Sequence, residues 1–384
     1  MRIVIAPDSY KGSLRSPQVA AAMAEGASRV FPEATIDLCP VGDGGEGTLD
    51  AVLAGVGGSA EPVEVTGPLG EARKARLGLL ADGETAYVEL AEASGLSCVP
   101  MEQRDPLRST SYGTGELIAR AYASGRQRIV VGLGGSATND GGAGLLAALG
   151  ARFLDAGAAP LPPGGASLAR LQRIDLRELR RPPAGVQLIA ATDVTNPLCG
   201  PEGASAIYGP QKGATPVQVT ELDAALARFA RVAASTLGRD ESQTPGAGAA
   251  GGAGFALLAF LGARAESGQN LILAMLRLDE RLASADLALT GEGQADRQTF
   301  AYGKTAAGVG GRCRAAGVPC IAFAGGVADD LGDCDAAGVG AVLSVVPRPM
   351  SLGEAMARGR ELIVGGVERG LRAYALGRRE ERAA

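Results

Sequence analysis

The sequence of 384 residues contains no histidine and no tryptophan, and only 4% of its residues are aromatic. The absence of histidine excludes the Ser-His-Asp triad, the Cys-His pair and every zinc site that depends on imidazole. A general base in this protein must therefore be Asp, Glu, Lys, Tyr or Cys. A bound metal would take oxygen ligands, which favours Mg²⁺ over Zn²⁺.

Several other signals are also missing. The six cysteines form no C-x-x-C pair, and Cys39 and Cys320 lie in apolar runs, so we expect small core residues rather than a redox or zinc site. The formal net charge of −5 argues against nucleic acid as a partner. No apolar run approaches the ~18 residues of a membrane span, and the segment MRIVIAPDSYKG does not resemble a signal peptide. We expect a cytoplasmic protein, monomeric or homodimeric, without a membrane partner.

The two ends of the chain carry the patterns of one doubly wound α/β domain. Arg2–Ala6 is predicted to be a strand, and the helix after it should begin with Ser16 as N-cap and Pro17 in its first turn. The further apolar runs that we interpret as strands lie at 34–41, 285–291, 318–326 and 340–347. Helices are expected from about Glu46, near 304–316 and after 351. This alternation is typical of a parallel sheet with helices on its faces.

The middle of the chain has a different pattern. Three neighbouring runs, 62–68, 74–80 and 85–93, alternate between apolar and polar residues as strands of an antiparallel or mixed sheet do. The elements predicted after them are helices at 113–125 and 141–150, a strand at 186–193 and about four helices between 202 and 283.

These patterns predict two domains, which is also the expectation for a chain of this length. One is a discontinuous domain of residues 1–61 plus 284–384. The other is an inserted α/β domain of residues 62–283 with a mixed sheet. We expect the hinge near Gly67-Pro68 and Ala285, and the active site in the cleft between the domains.

Glycines and oxygen-bearing side chains follow six of the predicted strands. Ligands of open parallel sheets bind beyond the carboxyl ends of strands, although Gly and Asp also favour turns for conformational reasons alone. The loops are APDSYKGS, VGDGGEGT, GLGGSATND, ATDVTNPLCGPEGA, TGEGQADRQ and AGG. Six such loops in one chain favour a ligand over turn chemistry.

The densest glycine run is VGLGGSATNDGGAG, residues 131–144. Its glycines let the backbone approach an anion, and the N-terminus of the helix predicted after it adds positive potential, so we interpret it as a phosphate loop. The alternative is a tight turn between strand and helix with Asn139 or Asp140 as N-cap. Asp140 would repel a phosphate unless it works through Mg²⁺ or caps the helix, so its role stays open.

Several further polar residues have both a functional and a structural interpretation. Asp193 ends an apolar strand and is the leading general base, but it could also cap the turn that leads to Asn196-Pro197. Lys11 and Lys304 are candidate cationic groups, and either could equally be a solvated lysine near a helix. The segment 245–263 is compatible with close helix packing through small residues as well as with ligand contact.

The motif YGKT at 302–305 is similar to the end of a Walker A loop. The Walker pattern requires a glycine where this chain has Gln298, and the preceding strand is too far away, so we reject a P-loop. An oxygen-rich, histidine-free and glycine-lined cleft still suits phosphoryl transfer. That reaction depends on positioning, Mg²⁺ and electrostatic stabilisation, and an aspartate can take the acceptor proton.

The blocks APDSYKGS, GDGGEGT, GLGGSATNDGGAG, TDVTNPLCGPEGA with GPQKGA, and GEGQADRQT with GKT resemble, in this order, the glycerate kinase type 1 family. The resemblance extends over essentially the whole chain. It implies ATP-dependent phosphorylation of D-glycerate, which in this family usually yields 2-phosphoglycerate. It also implies a flavodoxin-like domain that carries an inserted second domain.

Within this resemblance we assign roles as hypotheses. The catalytic candidates are Asp193, as base on the glycerate hydroxyl, and Lys11. The substrate-binding candidates are Asp8, Ser9, Asp43, Arg297 and Lys304. The candidates for binding phosphate or nucleotide are Gly134, Gly135, Ser136, Asn139 and Lys212. Glu292 and Asp296 are the candidate ligands of Mg²⁺, and ATP and Mg²⁺ are the expected cofactors.

Three alternatives stay open. The enzyme could phosphorylate the 3-hydroxyl of glycerate or another small hydroxy acid. GLGGSA is similar to the GLGSSA loop of the kinases that include galactokinase and homoserine kinase, although the flanking TND and the βαβα start do not fit that class. A nucleotide-binding regulatory protein is the non-enzymatic alternative, but it would not need acidic residues converging from two domains.

Overall fold

The structure is a computed structural model that describes residues 1–301 and 305–381. The candidate Lys304 lies outside the described residues. The chain divides into two compact units. Unit 1 comprises Met1–Asp43, Asp50–Gly57 and the chain from Gln269 onwards, and unit 2 comprises Gly44–Leu49 and Gly58–Gly268.

Thirteen strands and fourteen α-helices occur in the described part of the chain. The strands are β1 (Arg2–Ile5), β2 (Thr35–Leu38), β3 (Gly58–Thr66), β4 (Ala72–Leu80), β5 (Thr85–Glu89), β6 (Arg128–Gly132), β7 (Arg152–Leu154), β8 (Arg173–Asp175), β9 (Gln187–Ala191), β10 (Arg264–Glu266), β11 (Leu287–Ala295), β12 (Cys320–Val327) and β13 (Ala341–Ser344). The helices are α1 (Ser16–Val30), α2 (Thr48–Val56), α3 (Leu90–Ser94), α4 (Tyr112–Tyr122), α5 (Ala143–Ala148), α6 (Ala204–Tyr208), α7 (Pro216–Leu237), α8 (Ala249–Leu261), α9 (Gly268–Met275), α10 (Leu278–Leu282), α11 (Arg297–Ala301), α12 (Thr305–Ala316), α13 (Leu352–Ala357) and α14 (Gly359–Glu381). None of the helices within these described ranges has the length and apolar character that crossing a membrane requires.

Unit 1 contains a parallel sheet in the order β13-β12-β11-β1-β2. Numbered within the unit, this is the order 2-1-3-4-5 of flavodoxin-like folds. Helices α1 and α14 pack together and cover one face, where they bury alternate strand residues such as Ile3, Leu289 and Phe323. Helix α12 contacts β11 and β12, whose intervening residues point to the opposite face. The predicted doubly wound, flavodoxin-like fold is confirmed.

Unit 2 contains a mixed sheet in the order β10-β9-β6-β5-β4-β3. Strands β3, β4 and β5 pair antiparallel, whereas β5, β6, β9 and β10 run parallel. A separate antiparallel pair is formed by β7 and β8. The alternating runs in the middle of the sequence therefore indicated a mixed sheet correctly. Antiparallel strands at the edge have one face in solvent and alternate between apolar and polar residues, whereas the parallel strands at the centre are buried on both faces.

Several predicted boundaries are wrong by a few residues. Arg15, not Ser16, is the N-cap of α1, because the side-chain oxygen of Gln18 accepts a hydrogen bond from the Arg15 N–H at 3.0 Å. Helix α5 begins at Ala143 rather than at 141, because Gly141 and Gly142 have φ angles of 65° and 74°. Both differences arise from local backbone geometry that residue type alone does not specify.

Strand β11 is longer than the sequence predicts. It was expected to end at Gly291, but it continues to Ala295 because its last residues pair with β12, from Glu292 opposite Ala324 to Ala295 opposite Val327. Glu292 therefore lies within a strand and not in the loop after it.

The two units differ from the predicted domains at 44–49, 58–61 and 269–283. Strand β3 starts at Gly58 because it pairs with β4 along its whole length, from Gly58 opposite Leu80 to Thr66 opposite Ala72. Helices α9 and α10 contribute to unit 1, where α10 packs against α12. The predicted domain ranges, hinge positions and interdomain active site stay predictions.

Phe229 lies at the centre of the unit 2 core. Its ring is fully buried and lies 5.6, 5.4 and 5.9 Å from the ring centroids of Phe153, Phe255 and Phe260. Truncation to alanine leaves a cavity, so we expect Phe229→Ala to lower the free energy of unfolding by about 3–5 kcal/mol in urea titrations. Val217→Ala on the same helix is the matched control, since Val217 is 77% exposed and its loss should cost less than about 0.5 kcal/mol. Equal stabilities of the two variants would contradict this packing.

Candidate active site

The carboxyl ends of four parallel strands form one edge of the unit 2 sheet. Strands β5, β6, β9 and β10 end there at Glu89, Gly132, Ala191 and Glu266. The residues that follow these strands include most candidates of unit 2. They are the glycine loop, defined here as Val131–Gly144, then Asp193, and finally Ser267. An open sheet binds ligands at this edge, so the location agrees with the one inferred from the strand-end loops.

The backbone of the glycine loop is held by three neighbouring segments. The N–H groups of Leu133, Gly134 and Ala137 donate to the carbonyl oxygens of Ala191, Gly44 and Ser94, at 3.1, 3.1 and 2.9 Å. The N–H group of Gly134 is therefore engaged within the protein.

Five N–H groups of the glycine loop have no acceptor within residues 1–301 and 305–381. They belong to Gly135, Ser136, Thr138, Asn139 and Asp140. Gly135 is exposed, with a φ of 73°, and the side chain of Ser136 is 5% exposed. Thr138, Asn139 and Asp140 are 0% exposed, so Gly135 and Ser136 carry the more accessible of these donors.

A second glycine-rich loop, residues Gly44–Leu49, packs directly on the first. A Cβ atom added to Gly134 would lie 2.4 Å from the Cα of Gly45, so only glycine allows this approach. Glu89 holds the second loop, since its carboxylate oxygens accept hydrogen bonds from the N–H groups of Gly47 and Leu49, both at 2.8 Å. Sequence analysis missed Glu89. The signal in the sequence was a carboxylate at the end of a largely apolar run. In the structure this residue ends the buried strand β5 and is 1% exposed.

Asp140 is fully buried and orders the end of the glycine loop. Its carboxylate accepts hydrogen bonds from the N–H of Ser111 at 2.8 Å, from the Ser111 hydroxyl, and from the N–H groups of Gly142 and Gly144 at 3.0 and 3.1 Å. Burial raises the pKa of Asp140, while these hydrogen bonds act in the opposite direction. Of the roles that the sequence left open, the structure shows the capping role, because two of the donors belong to the start of α5.

Asn139 and Lys212 are also turned into the protein. The Asn139 side-chain amide donates to the Ser205 hydroxyl at 2.8 Å, and the Lys212 ammonium donates to the carbonyl oxygen of Thr138 at 2.7 Å. Their side chains are 0% and 1% exposed. Their burial does not favour direct contact with phosphate, and the prediction that they bind it stays a prediction.

The glycine-rich start of α8 packs against the glycine loop. Gly251 has a φ of 67°, and a Cβ atom there would lie 2.0 Å from the carbonyl oxygen of Thr138. Its own carbonyl accepts a hydrogen bond from the N–H of Gly141 at 2.9 Å. Among the described residues, this segment therefore serves close backbone packing, the structural alternative that the sequence had left open.

Asp193 lies two residues beyond the end of β9 and is exposed. Its Oδ1 accepts a hydrogen bond from the hydroxyl of Ser267, which follows β10, at 2.6 Å. Asn196 makes different contacts: its side-chain amide donates to the carbonyl of Glu202 and its oxygen accepts from Tyr208. An exposed carboxylate oriented by a neighbouring hydroxyl is suited to accept a proton from a bound hydroxyl group.

Unit 1 has its own polar group beyond the end of β1, which we call the Asp8 cluster: Asp8, Ser9, Lys11, Asp43 and Thr305. The Asp8 carboxylate accepts hydrogen bonds from the Ser9 N–H at 2.6 Å and from the Thr305 hydroxyl at 2.7 Å. Lys11 and Asp43 form an ion pair at 3.4 Å. The buried Ser9 hydroxyl oxygen has no hydrogen-bond partner among the described residues, so it can form a hydrogen bond with a bound ligand.

Burial and charge give this cluster unusual proton affinities. The pKa of Asp8, which is 8% exposed, is raised to about 6, first by burial and then by the charge of Asp43. The charge of Asp43 also raises the pKa of Lys11, although burial opposes it. The cluster lies where β1 meets β11, the point at which strand order reverses and flavodoxin-like folds bind ligands.

The remaining candidates of unit 1 are more dispersed. Arg297 is exposed, and its guanidinium lies 3.5 Å from the carboxylate of Asp330. Asp296 accepts a hydrogen bond from the N–H of Thr299 at 3.0 Å and so caps the short helix α11. Glu292 acts electrostatically on Lys11 and on the buried hydroxyl of Tyr10, whose pKa is raised by burial and by this charge.

The metal candidates fit Mg²⁺ by the chemistry of their oxygen atoms. No group of three or more Cys, Asp or Glu side chains that could hold a metal ion occurs in the described part of the chain. Mg²⁺ commonly takes only one or two carboxylates together with substrate phosphates, so Glu292 and Asp296 remain suitable ligands and their assignment stays a prediction.

Asp8 should make the stability of the protein depend on pH. Between the ordinary aspartate value of 3.8 and the raised pKa of about 6, the folded protein binds a proton that the unfolded chain lacks, so stability falls as the pH rises through this window. We expect Asp8→Asn to raise the free energy of unfolding above about pH 7 by up to about 2–3 kcal/mol, and to lose this advantage near about pH 4.

Urea unfolding at several pH values measures this effect. Asp335→Asn is the matched control, because Asp335 is an exposed aspartate of the same unit. A constant difference between Asp8→Asn and the wild type across the pH range would refute the prediction.

Comparisons with known proteins agree on one family. The model of the glycerate kinase family matches residues 3–374. Glycerate 2-kinase of Escherichia coli K12 is 47% identical over 355 residues, 92% of this chain and 93% of the relative, and glycerate kinase of Bacillus subtilis 168 is 44% identical over 94% of each chain. A crystal structure of a Salmonella typhimurium LT2 protein assigned as a glycerate kinase 2 has a TM-score of 0.85 and 44% identity, and covers 99% of each chain.

Proposed function

This chain belongs to the glycerate kinase family, and we propose that it transfers the γ-phosphoryl group of ATP to the 2-hydroxyl of D-glycerate, giving 2-phosphoglycerate and ADP. The observation that carries the proposal is the family match over residues 3–374 together with the 47% identity to a glycerate 2-kinase. The site geometry adds support. It provides the amide donors of Gly135 and Ser136, the exposed carboxylate of Asp193 and the cation Lys11, and phosphoryl transfer with these groups needs no histidine.

In this proposal the glycine loop binds phosphate. The N–H groups of Gly135 and Ser136, which have no acceptor within the described chain, donate to phosphate oxygens of ATP. Gly134 contributes by allowing the loop to approach Gly45 rather than by donating its own N–H, which is engaged by Gly44. Mg²⁺, for which we assign Glu292 and Asp296, would neutralise charge on the phosphates when bound.

Asp193 is the proposed general base. As the oxygen of the glycerate hydroxyl attacks the γ-phosphorus, Asp193 takes the hydroxyl proton, and the bond between the γ-phosphorus and its bridging oxygen breaks, leaving its electron pair on ADP. The hydrogen bond from Ser267 keeps one carboxylate oxygen of Asp193 oriented.

The Asp8 cluster is the proposed site for the polar groups of glycerate. The Lys11 ammonium carries a positive charge that can pair with the substrate carboxylate, and the candidates Arg297 and Lys304 are assigned to the same task or to the transferred phosphoryl group. The Ser9 hydroxyl and the carboxylates of Asp8 and Asp43 can hydrogen-bond to substrate hydroxyls.

A coupled assay of ADP release tests the proposed reaction. We expect release with ATP and D-glycerate, and much less with L-glycerate, homoserine or galactose. Phosphorus NMR of the product then identifies the phosphorylated carbon. Release with homoserine or galactose alone would contradict the proposal, a 3-phosphate product would correct its position, and release with none of the four would favour a nucleotide-binding regulatory protein.

Asp193→Asn tests the assignment of the base. We expect kcat to fall by about 10²–10⁴-fold with little change in KM for ATP, because the carboxylate acts only as the proton leaves. Glu202→Gln is the matched control, since Glu202 is an exposed carboxylate of the same loop that should leave kcat within about twofold of the wild type. Retention of more than about one tenth of wild-type kcat by Asp193→Asn would remove Asp193 from this role.

A further inference from the structure

Lys212 is a buried cation for which the proposed reaction has no direct use. It ends a short 3₁₀ turn, Pro210–Lys212, and its side chain is 1% exposed. The turn is fixed by backbone hydrogen bonds from Lys212, Gly213 and Ala214 to the carbonyls of Gly209 and Pro210, at 3.0–3.1 Å. Lysine side chains normally keep their ammonium group in water, so an ammonium held in this position requires a compensating interaction.

Two groups of the glycine loop supply that compensation. The Lys212 ammonium donates to the carbonyl oxygen of Thr138 at 2.7 Å. It also lies in the field of the buried Asp140 carboxylate: burial lowers the pKa of Lys212 to about 7, and the charge of Asp140 acts in the opposite direction. A cation from outside the loop thus donates a hydrogen bond to one carbonyl of the loop and interacts electrostatically with the carboxylate two residues further on.

The Thr138 carbonyl has little freedom to move. Besides accepting the hydrogen bond from Lys212, its oxygen would lie only 2.0 Å from a Cβ atom at Gly251, so the backbone of that segment closes the other side. The peptide after Thr138 is therefore fixed from two directions. It lies between Gly135 and Ser136, whose N–H groups are available to an anion, and Asp140, which caps α5.

The choice of residue type supports a specific role for a compact ammonium group. Of the 37 basic side chains, lysine occupies only positions 11, 74, 212 and 304, and arginine occupies all others. A guanidinium group is larger and planar and could not replace a point-like ammonium in a filled interior without displacing its neighbours.

We propose that Lys212 is a positioning residue of the glycine loop, which holds the Thr138 carbonyl and balances the charge of Asp140, and thereby keeps the N–H groups of Gly135 and Ser136 in the orientation that binds the phosphates of ATP. This role deepens the proposed function and rests on it for the identity of the ligand. Lys212 acts through the loop and does not touch phosphate.

The proposal is tested with Lys212→Met, which preserves the length of the side chain and removes its charge. Its matched control is Lys74→Met, an exposed lysine of the same unit. Hydrogen exchange followed by mass spectrometry on peptides that cover 131–145 should show at least about tenfold faster exchange in Lys212→Met than in the wild type or the control, because the buried carbonyl loses its donor. KM for ATP should rise by about tenfold or more, with a smaller change in KM for D-glycerate.

A double variant, Lys212→Met with Asp140→Asn, covers the case in which the single variant does not fold. It removes both buried charges, so no uncompensated carboxylate remains, and we expect it to fold and still show the faster exchange. An unchanged exchange rate at 131–145 in a folded variant would overturn the proposal, and so would an unchanged KM for ATP. Failure of the wild type to release ADP with D-glycerate would instead refute the proposed function, and the exchange measurement would still decide whether Lys212 holds the loop.

Discussion

The candidate phosphate site depends on backbone segments that approach each other more closely than a methyl group allows. Gly134 lies against Gly45, and Gly251 lies against the carbonyl of Thr138, at separations where a Cβ atom would overlap the neighbouring main chain. Glycine at these positions lets a peptide rather than a side chain form the contact surface. The amide groups of Gly135 and Ser136, which have no acceptor in the described chain, are therefore presented by closely packed main chain.

Buried charges keep this close packing in place. Glu89, Asp140 and Lys212 are nearly or completely buried, and each forms hydrogen bonds with main-chain groups. Glu89 accepts from the amides of Gly47 and Leu49, and Asp140 accepts from amides at the start of α5. Lys212 donates to the carbonyl of Thr138. Charged hydrogen bonds to the backbone are stronger than neutral ones, which suits positions where strain and desolvation must be offset. Asp193, in contrast, is exposed and contacts a side chain. In unit 2, the buried acidic residues Glu89 and Asp140 thus have structural roles, and the exposed Asp193 has the proposed chemical role.

In unit 1, the buried carboxylate of Asp8 lowers stability at neutral pH instead of holding the backbone together. Asp8 is buried, and its pKa is raised by burial and by the charge of Asp43. The folded protein therefore disfavours the negative charge of this carboxylate, although an ionised carboxylate is what would accept hydrogen bonds from a ligand. Such an arrangement lowers stability at neutral pH, and it is characteristic of groups that are placed for binding or catalysis rather than for folding. The Ser9 hydroxyl, buried without a partner in the described chain, has the same character. Both residues carry a buried polar group beyond a strand end, where folds of this type bind ligands.

The sequence by itself determined the fold class, the mixed character of the second sheet and the strand-end loops. Hydrophobic periodicity and the positions of glycines are local properties, so they can be read without knowing which distant segments pack together. The family followed from the order of short motifs. Tertiary structure decided which residues of those motifs face outward. Asn139 and Lys212 carry groups that suit phosphate, yet both are buried, whereas Glu89 lies outside every motif and holds one of the loops. Only the packing of distant segments determines whether a polar side chain meets solvent, a ligand or another part of the backbone, and no local pattern records it.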